Sequence, residues 1–237
     1  MEILTGHFAY AEILLAIFVP VALISFLTPF SKFRRYKPLL ISIAVVAPIY
    51  ILWDQLAVVF GTWSFDSAHV TGVYFFHLPV EEVSFFLVVP FSTMLIYEAI
   101  KRYIRGRFMP GKVTIIASIF ASLLIILGVL NLSRSYTSVA SFFAAGSIVT
   151  GLGIDRQLMV KKSLWLYMAI SYVPFIFFDH LMVTLPVFTY GKGAIIGLRI
   201  ANIPVEEFEY VFSLLMFYVI FYDLSARWLS SRGNSGK

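Results

Sequence analysis

Phe76–Phe86 reads FHLPVEEVSFF, and Ala201–Val211 reads ANIPVEEFEYV. In both places the shared Pro-Val-Glu-Glu follows an aspartate at the same distance, Asp54 before Pro79 and Asp179 before Pro204. Asp54–Glu98 can be laid on Asp179–Asp223 without a gap, and Leu56/Leu181, Val58/Val183, Gly72/Gly197 and Tyr97/Tyr222 then coincide as well. Scattered matches carry little weight in an apolar chain. A contiguous proline-and-glutamate motif with an acid at fixed distance upstream carries much more, because neither residue type is a default choice in hydrophobic sequence. The fold must therefore be read as two copies of one unit.

That unit belongs in a membrane. Of the 237 residues 60% are hydrophobic and only 13% charged, and the mean hydropathy is +0.89, too apolar for a chain that has to cover itself with polar surface. The apolar residues fall in blocks near 8–28, 39–60, 79–100, 113–131, 137–153, 164–187 and 203–225. These are about the length that spans hydrocarbon, roughly 20 residues. The fifth is the shortest and is interrupted by Gly146, Gly151 and Gly153.

Charge sets the orientation. With the N-terminus outside and the C-terminus inside, the cytoplasmic segments hold Lys32, Arg34, Arg35 and Lys37, then Lys101, Arg102, Arg105, Arg107 and Lys112. They also hold Arg156, Lys161 and Lys162, then Arg227, Arg232 and Lys237. Only Arg134, Lys192 and Arg199 fall on the other side, the pattern of the positive-inside rule. The net charge of +5 thus reflects topology and anionic lipid, and calls for no nucleic acid. No cleavable leader follows Met1, so the first block is expected to be a retained helix.

The expected fold is all-α: a seven-helix transmembrane bundle of two three-helix repeats, 1–112 and 132–237, joined by one linker helix at 113–131. An odd linker makes the second repeat enter the membrane in the same direction as the first, so the repeats are parallel and related by an axis along the membrane normal. Corresponding acids then share one depth, and the two sets face each other or a common cavity near the outer side.

Pro79 and Pro204 each suit the opening of a helix. Glu81, Glu82, Glu206 and Glu207 then lie in first turns, where free amides favour negative charge while burial beside hydrocarbon disfavours it. Such conflicts occur where protons are transferred. Neighbouring helix positions point about 100° apart, so one glutamate of each pair faces the cavity and the other faces the headgroups or holds the loop. Asp54 and Asp179 sit in the outer parts of spans two and six, and an intramembrane acid is a functional-site hypothesis by default. Glu12 and Glu209 lie at the same level, but Glu209 corresponds to Ser84.

Aromatic residues surround this layer. Phe85 and Tyr210 stand four residues after Glu81 and Glu206, on the same helix face, and with Trp53 and Phe178 they are candidates to bind substrate or to stabilise a carbocation through a ring face. His77 and His180 occupy unlike positions in the two copies, so they are expected to hydrogen-bond nearby acids rather than ligate a metal. Tyr97–Glu98 and Tyr222–Asp223 are expected to anchor the far ends of their helices at the cytoplasmic interface.

Several classes are excluded. The chain has no cysteine, hence no disulfide, thiol nucleophile or thiolate metal site. The last span lacks the lysine a retinal Schiff base requires, and neither a dinucleotide fingerprint nor a P-loop occurs.

The doubled motif, the upstream aspartates and the three-plus-one-plus-three arrangement resemble the small integral-membrane lycopene cyclases. These occur as two separate subunits in some actinobacteria, as single fused proteins in archaea and Bacteroidetes, and as the cyclase domain of fungal phytoene synthase fusions. The resemblance covers essentially the whole chain. It implies cyclisation of the ψ ends of lycopene to β-ionone rings, through γ- to β-carotene, without net redox change, flavin or other cofactor. It carries catalytic weight to Glu81, Glu82, Glu206 and Glu207; Asp54 and Asp179 are added from spacing and depth. A multi-pass cell-membrane protein, an apolar carotenoid substrate and neighbouring enzymes of carotenoid biosynthesis as partners follow from it. The competing reading is a proton-coupled transporter that uses the same acids as a relay.

Overall fold

The computed structural model describes residues 6–27 and 30–234. Thr28, at the end of the first expected span, and Lys237 in the tail lie outside the described residues. Seven helices are long and apolar enough to cross a membrane: α1 (Ala9–Phe26), α2 (Tyr36–Val59), α3 (Val80–Tyr103), α4 (Pro110–Leu130), α5 (Ser135–Ile154), α7 (Lys162–Thr184) and α8 (Val205–Asn234), with a one-turn helix α6 (Arg156–Met159) before α7. The protein is a multi-pass membrane protein with an all-α membrane domain.

Several helix bounds differ from the expected spans, and three of the helices show a local reason for their length. The fifth span is a full helix of 20 residues despite its glycines. Gly151 lets Met159 pack where an added Cβ would stand 2.5 Å from its sulfur. α7 stops at Thr184, just before Pro186, whose missing N–H ends the ladder. α8 continues well past residue 225 because Leu224–Arg232 contains neither proline nor glycine to stop it.

The sequence reading did not anticipate strands. β1 (Trp63–Phe65), β2 (Tyr74–Phe75) and β3 (Leu78–Pro79) precede α3, and β4 (Phe188–Tyr190), β5 (Arg199–Ile200) and β6 (Ile203–Pro204) precede α8, so strand and helix starts recur at one offset of 125 residues. β2–β3 and β5–β6 are tight hairpins. Their tips need left-handed backbone, adopted by Phe76 (φ 54°), Ala201 (φ 51°) and Asn202 (φ 67°), as the right-handed twist of paired strands demands.

β1 pairs antiparallel with β4, joining the two loop regions. The central pair, Ser64 and Thr189, are themselves equivalent positions, and their hydroxyls lie 3.2 Å apart. The approach is close enough that a Cβ at Gly191 would come within 2.0 Å of the Gly61 carbonyl oxygen. At this hairpin end Gln55 donates from Nε2 to the Phe75 carbonyl (2.7 Å) and His180 from Nδ1 to the Ala201 carbonyl (2.7 Å). The expected pairing of His77 and His180 with acids does not occur: the His77 backbone N–H donates to Gln55 Oε1, because both residues lie in or against the hairpins.

Packing in the bundle is crossed. α2 packs against α8, α7 against α3, α1 against α3 and α5 against both α4 and α8. α4 is the most apolar span and the least buried, as expected of a helix that touches the bundle along one stripe and lipid elsewhere. Pro90 in α3 leaves the Phe86 carbonyl without its helical donor, and the Tyr218 hydroxyl replaces it at 2.8 Å.

At the end opposite the hairpins, Asp223 is ringed by Lys161 (2.9 Å), Lys101 (3.4 Å) and Arg227 (3.9 Å), and Arg227 also pairs with Asp155. Tyr97 and Tyr222 are fully buried beneath this network, with Lys101 Nζ 4.7 Å from the Tyr97 ring centre. They are therefore interior residues rather than interfacial anchors; the ion network above them, rather than bulk water, satisfies this end of the bundle.

Candidate functional site

A cavity of about 340 Å³ runs through the bundle, lined by α1, α2, α3, α7, α8 and residues of β1 and β4. Its walls are mainly apolar. Along α3 the lining extends from Glu82 to Ile96, about 21 Å at 1.5 Å per residue. The cavity is thus long and narrow, with its acids gathered at the hairpin end. α1 and α7 both line it, and Ile13 and Leu14 of α1 share an apolar cluster with Met182 of α7.

Four carboxyl side chains line the hairpin end: Asp54, Glu82, Asp179 and Glu207. All are buried. The first turns of α3 and α8 present Glu82 and Glu207 inward, while the last turns of α2 and α7 bring up the two aspartates. Tyr10 donates to Glu82 Oε2 at 2.7 Å, and Asp54 lines the cavity with it. Tyr210 donates to Asp54 across the repeat boundary at 3.3 Å. On the opposite side Tyr190 donates to Glu207 Oε1 at 2.6 Å, and Tyr136 lines the same cavity. Asp179 Oδ2 is buried and has no hydrogen-bond partner.

This inequality has a structural cause. α2 packs along α3, whereas α7 makes fewer contacts with α8, so Asp179 stands off from Glu207. In addition, the position equivalent to Tyr210 is Phe85, which has no hydroxyl to offer.

The other two glutamates do not line the cavity. Glu81 Oε1 accepts the Thr71 N–H at 2.7 Å, and Glu206 Oε1 accepts the Ile196 N–H at 2.7 Å and the Thr137 hydroxyl at 2.6 Å. Thr71 and Ile196 are equivalent positions, so in both copies this glutamate ties the loop to the helix start. Glu209 accepts from Ser141 at 2.6 Å and, like Glu12, lies off the cavity wall.

Phe85, Phe178 and Tyr210 line the cavity; Trp53 does not, but it packs behind Tyr210 with ring centres 4.8 Å apart. Tyr10 and Tyr136 were not singled out from sequence, since a tyrosine in an apolar helix carries no signal of where its hydroxyl points. Outside the membrane helices, burial first and the Glu207 carboxylate second push the Tyr190 hydroxyl above the ordinary tyrosine range, which keeps it a donor. Among the described residues no grouping of three or more His, Asp or Glu is arranged to hold a metal ion.

The site is thus a long apolar cavity in a membrane bundle, with buried acids and hydroxyl donors at one end. A family model described as Lycopene cyclase matches residues 7–100 and 133–225, most of the chain, and the protein belongs to the lycopene cyclase family. Carotenoid biosynthesis is its setting and a carotenoid its substrate. Neither curated proteins nor solved structures gave a match.

Proposed function

We propose that the protein is a lycopene beta-cyclase that converts the ψ ends of lycopene to β-ionone rings, through γ- to β-carotene, by acid–base catalysis. The observation that carries this reading is the placement of Asp54, Glu82, Asp179 and Glu207 at one end of a long apolar cavity. The chemistry needs an acid to protonate the terminal double bond, a dry space in which the resulting carbocation can close the ring, and a base that accepts the proton then released from the new ring. No electrons are gained or lost.

In this reading Glu82 is the acid, and Asp54, which lines the same end of the cavity and is held there by Tyr210, orients the proton that Glu82 delivers. Glu207, with Asp179 on the same cavity wall, receives the proton released. Phe85, Phe178 and Tyr210 line the space between them and offer ring faces to the cation. Glu81 and Glu206 act indirectly, by fixing the first turns that carry Glu82 and Glu207. The length of the polyene lies along the cavity.

We place the hairpin end outside and the ion-network end in the cytoplasm, with the N-terminus out, two parallel repeats and α4 as their linker. The charge distribution supports this orientation, and the central Ser64–Thr189 pair supports a two-fold relation between the copies. Expression of this chain alone in a lycopene-accumulating bacterium tests the reading. Chromatography should find β- or γ-carotene; lycopene left unchanged by correctly inserted protein contradicts it.

A further inference from the structure

We propose that Tyr190 is the gate through which the cavity carboxyls exchange protons with water at the hairpin end, a proposal that rests on the cyclase reading above. After each ring closure the acid lacks a proton and the base holds one, so the set must either pass a proton internally or exchange it with solvent. The cavity gives few places for that exchange. Its apolar length leads toward lipid, and its polar end is covered by the loops and strands above it.

Tyr190 occupies the wall. Its hydroxyl donates to Glu207 Oε1 at 2.6 Å on the cavity side. Its other side lines a second, outer depression together with Thr189, Arg199 and Asn202, all three of them exposed. The Arg199 guanidinium lies 5.9 Å from the Tyr190 ring centre, at the mouth of that depression. Tyr190 is only half-buried, whereas Tyr136 is fully buried and lines the inner cavity but not the depression. The two rings stack at 5.7 Å. Hence Tyr190 both bonds Glu207 and borders the outer depression, and Tyr136 does not border it. The step itself is a simple relay: Glu207 passes a proton to the phenol oxygen as the phenol gives its own to water in the depression, and the reverse movement reloads the carboxyls.

The experiment uses the full chain in liposomes, prepared in ordinary water and mixed at once with lycopene and buffered heavy water. Mass spectrometry reads deuterium in the ring formed. Wild type, with exchange open, should place deuterium in nearly every ring. Tyr190→Phe keeps the ring packing but closes the relay; its rings should carry mainly light hydrogen recycled inside, and turnover should fall about tenfold or more. Tyr136→Phe removes the inward hydroxyl instead and should leave the label at the wild-type level, whatever its rate.

Tyr190→Phe rings labelled as fully as wild type overturn the proposal. Should that variant yield no ring at all, Arg199→Leu decides. It alters an exposed side chain at the mouth of the depression, and a label equal to wild type contradicts the relay while a lowered label supports it. If the wild type itself makes no cyclic carotene, the parent reading fails and this one with it.

Discussion

The Tyr210 hydroxyl lies 3.3 Å from each carboxylate oxygen of Asp54, so the second half of the chain supplies the donor that holds an acid of the first. The equivalent contact in the other direction is missing, because Phe85 stands where Tyr210 would and Asp179 Oδ2 has no partner. The two halves of the chain thus form unequal walls of a single cavity. The site cannot be assigned to either half alone.

Removing this donor should misplace Asp54, and through it Glu82. Tyr210→Phe is expected to lower the rate of ring formation about ten- to a hundredfold with little change in the amount of folded protein. Chromatographic rates on purified protein, normalised to its concentration, check this; a wild-type rate would remove Tyr210 from the account.

The converse substitution tests the inequality. Phe85→Tyr places a hydroxyl at the position equivalent to Tyr210, within the same cavity. Giving Asp179 a donor should slow ring formation if its free oxygen takes part in receiving the released proton. A rate unaffected by this change would mean that Asp179 is a spectator.

Glu81 and Glu206 should behave differently from their neighbours. Glu81→Ala and Glu206→Ala each leave a loop N–H without its carboxylate acceptor, and a hydrogen bond to a charged group contributes about 1.5–3 kcal/mol. Each is expected to lower the melting temperature in detergent, with the surviving folded fraction still active. Loss of all activity at an unchanged melting temperature would return these two to the chemistry.

Much of this was legible in the chain. Seven long apolar blocks and the distribution of basic residues define the spans, because lipid demands length and apolarity over any local preference. The duplicated Pro-Val-Glu-Glu marks the acids. What could not be read was rotation: Glu81 and Glu82 differ by one residue, and only the packed bundle decides which meets the cavity. The hairpins escaped notice because strands of two or three residues have no measurable period, although Gly72 and Gly197, both at positive φ, were their trace. Tyr97 and Tyr222 were misplaced at an interface because a tyrosine near a helix end reads as an anchor unless the ion pairs above it are known.

The network around Asp223 gives a fourth expectation. Asp223→Asn leaves Lys101, Lys161 and Arg227 facing one another with their shared anion gone. These cations are partly exposed, so water softens the effect to about 1–3 kcal/mol. Thermal melting should shift down while the ratio of one-ring to two-ring products stays the same; a changed ratio would tie this end of the bundle to substrate binding.

The most direct test of the central claim compares wild type with Glu82→Gln, Glu207→Gln and the double variant, each purified, checked for folding by its melting temperature, and supplied with lycopene in liposomes. The account predicts that wild type forms β- or γ-carotene, that each single variant loses about a hundredfold or more in rate, and that the double variant leaves lycopene unchanged. Cyclic product at near wild-type rate from the folded double variant would contradict it.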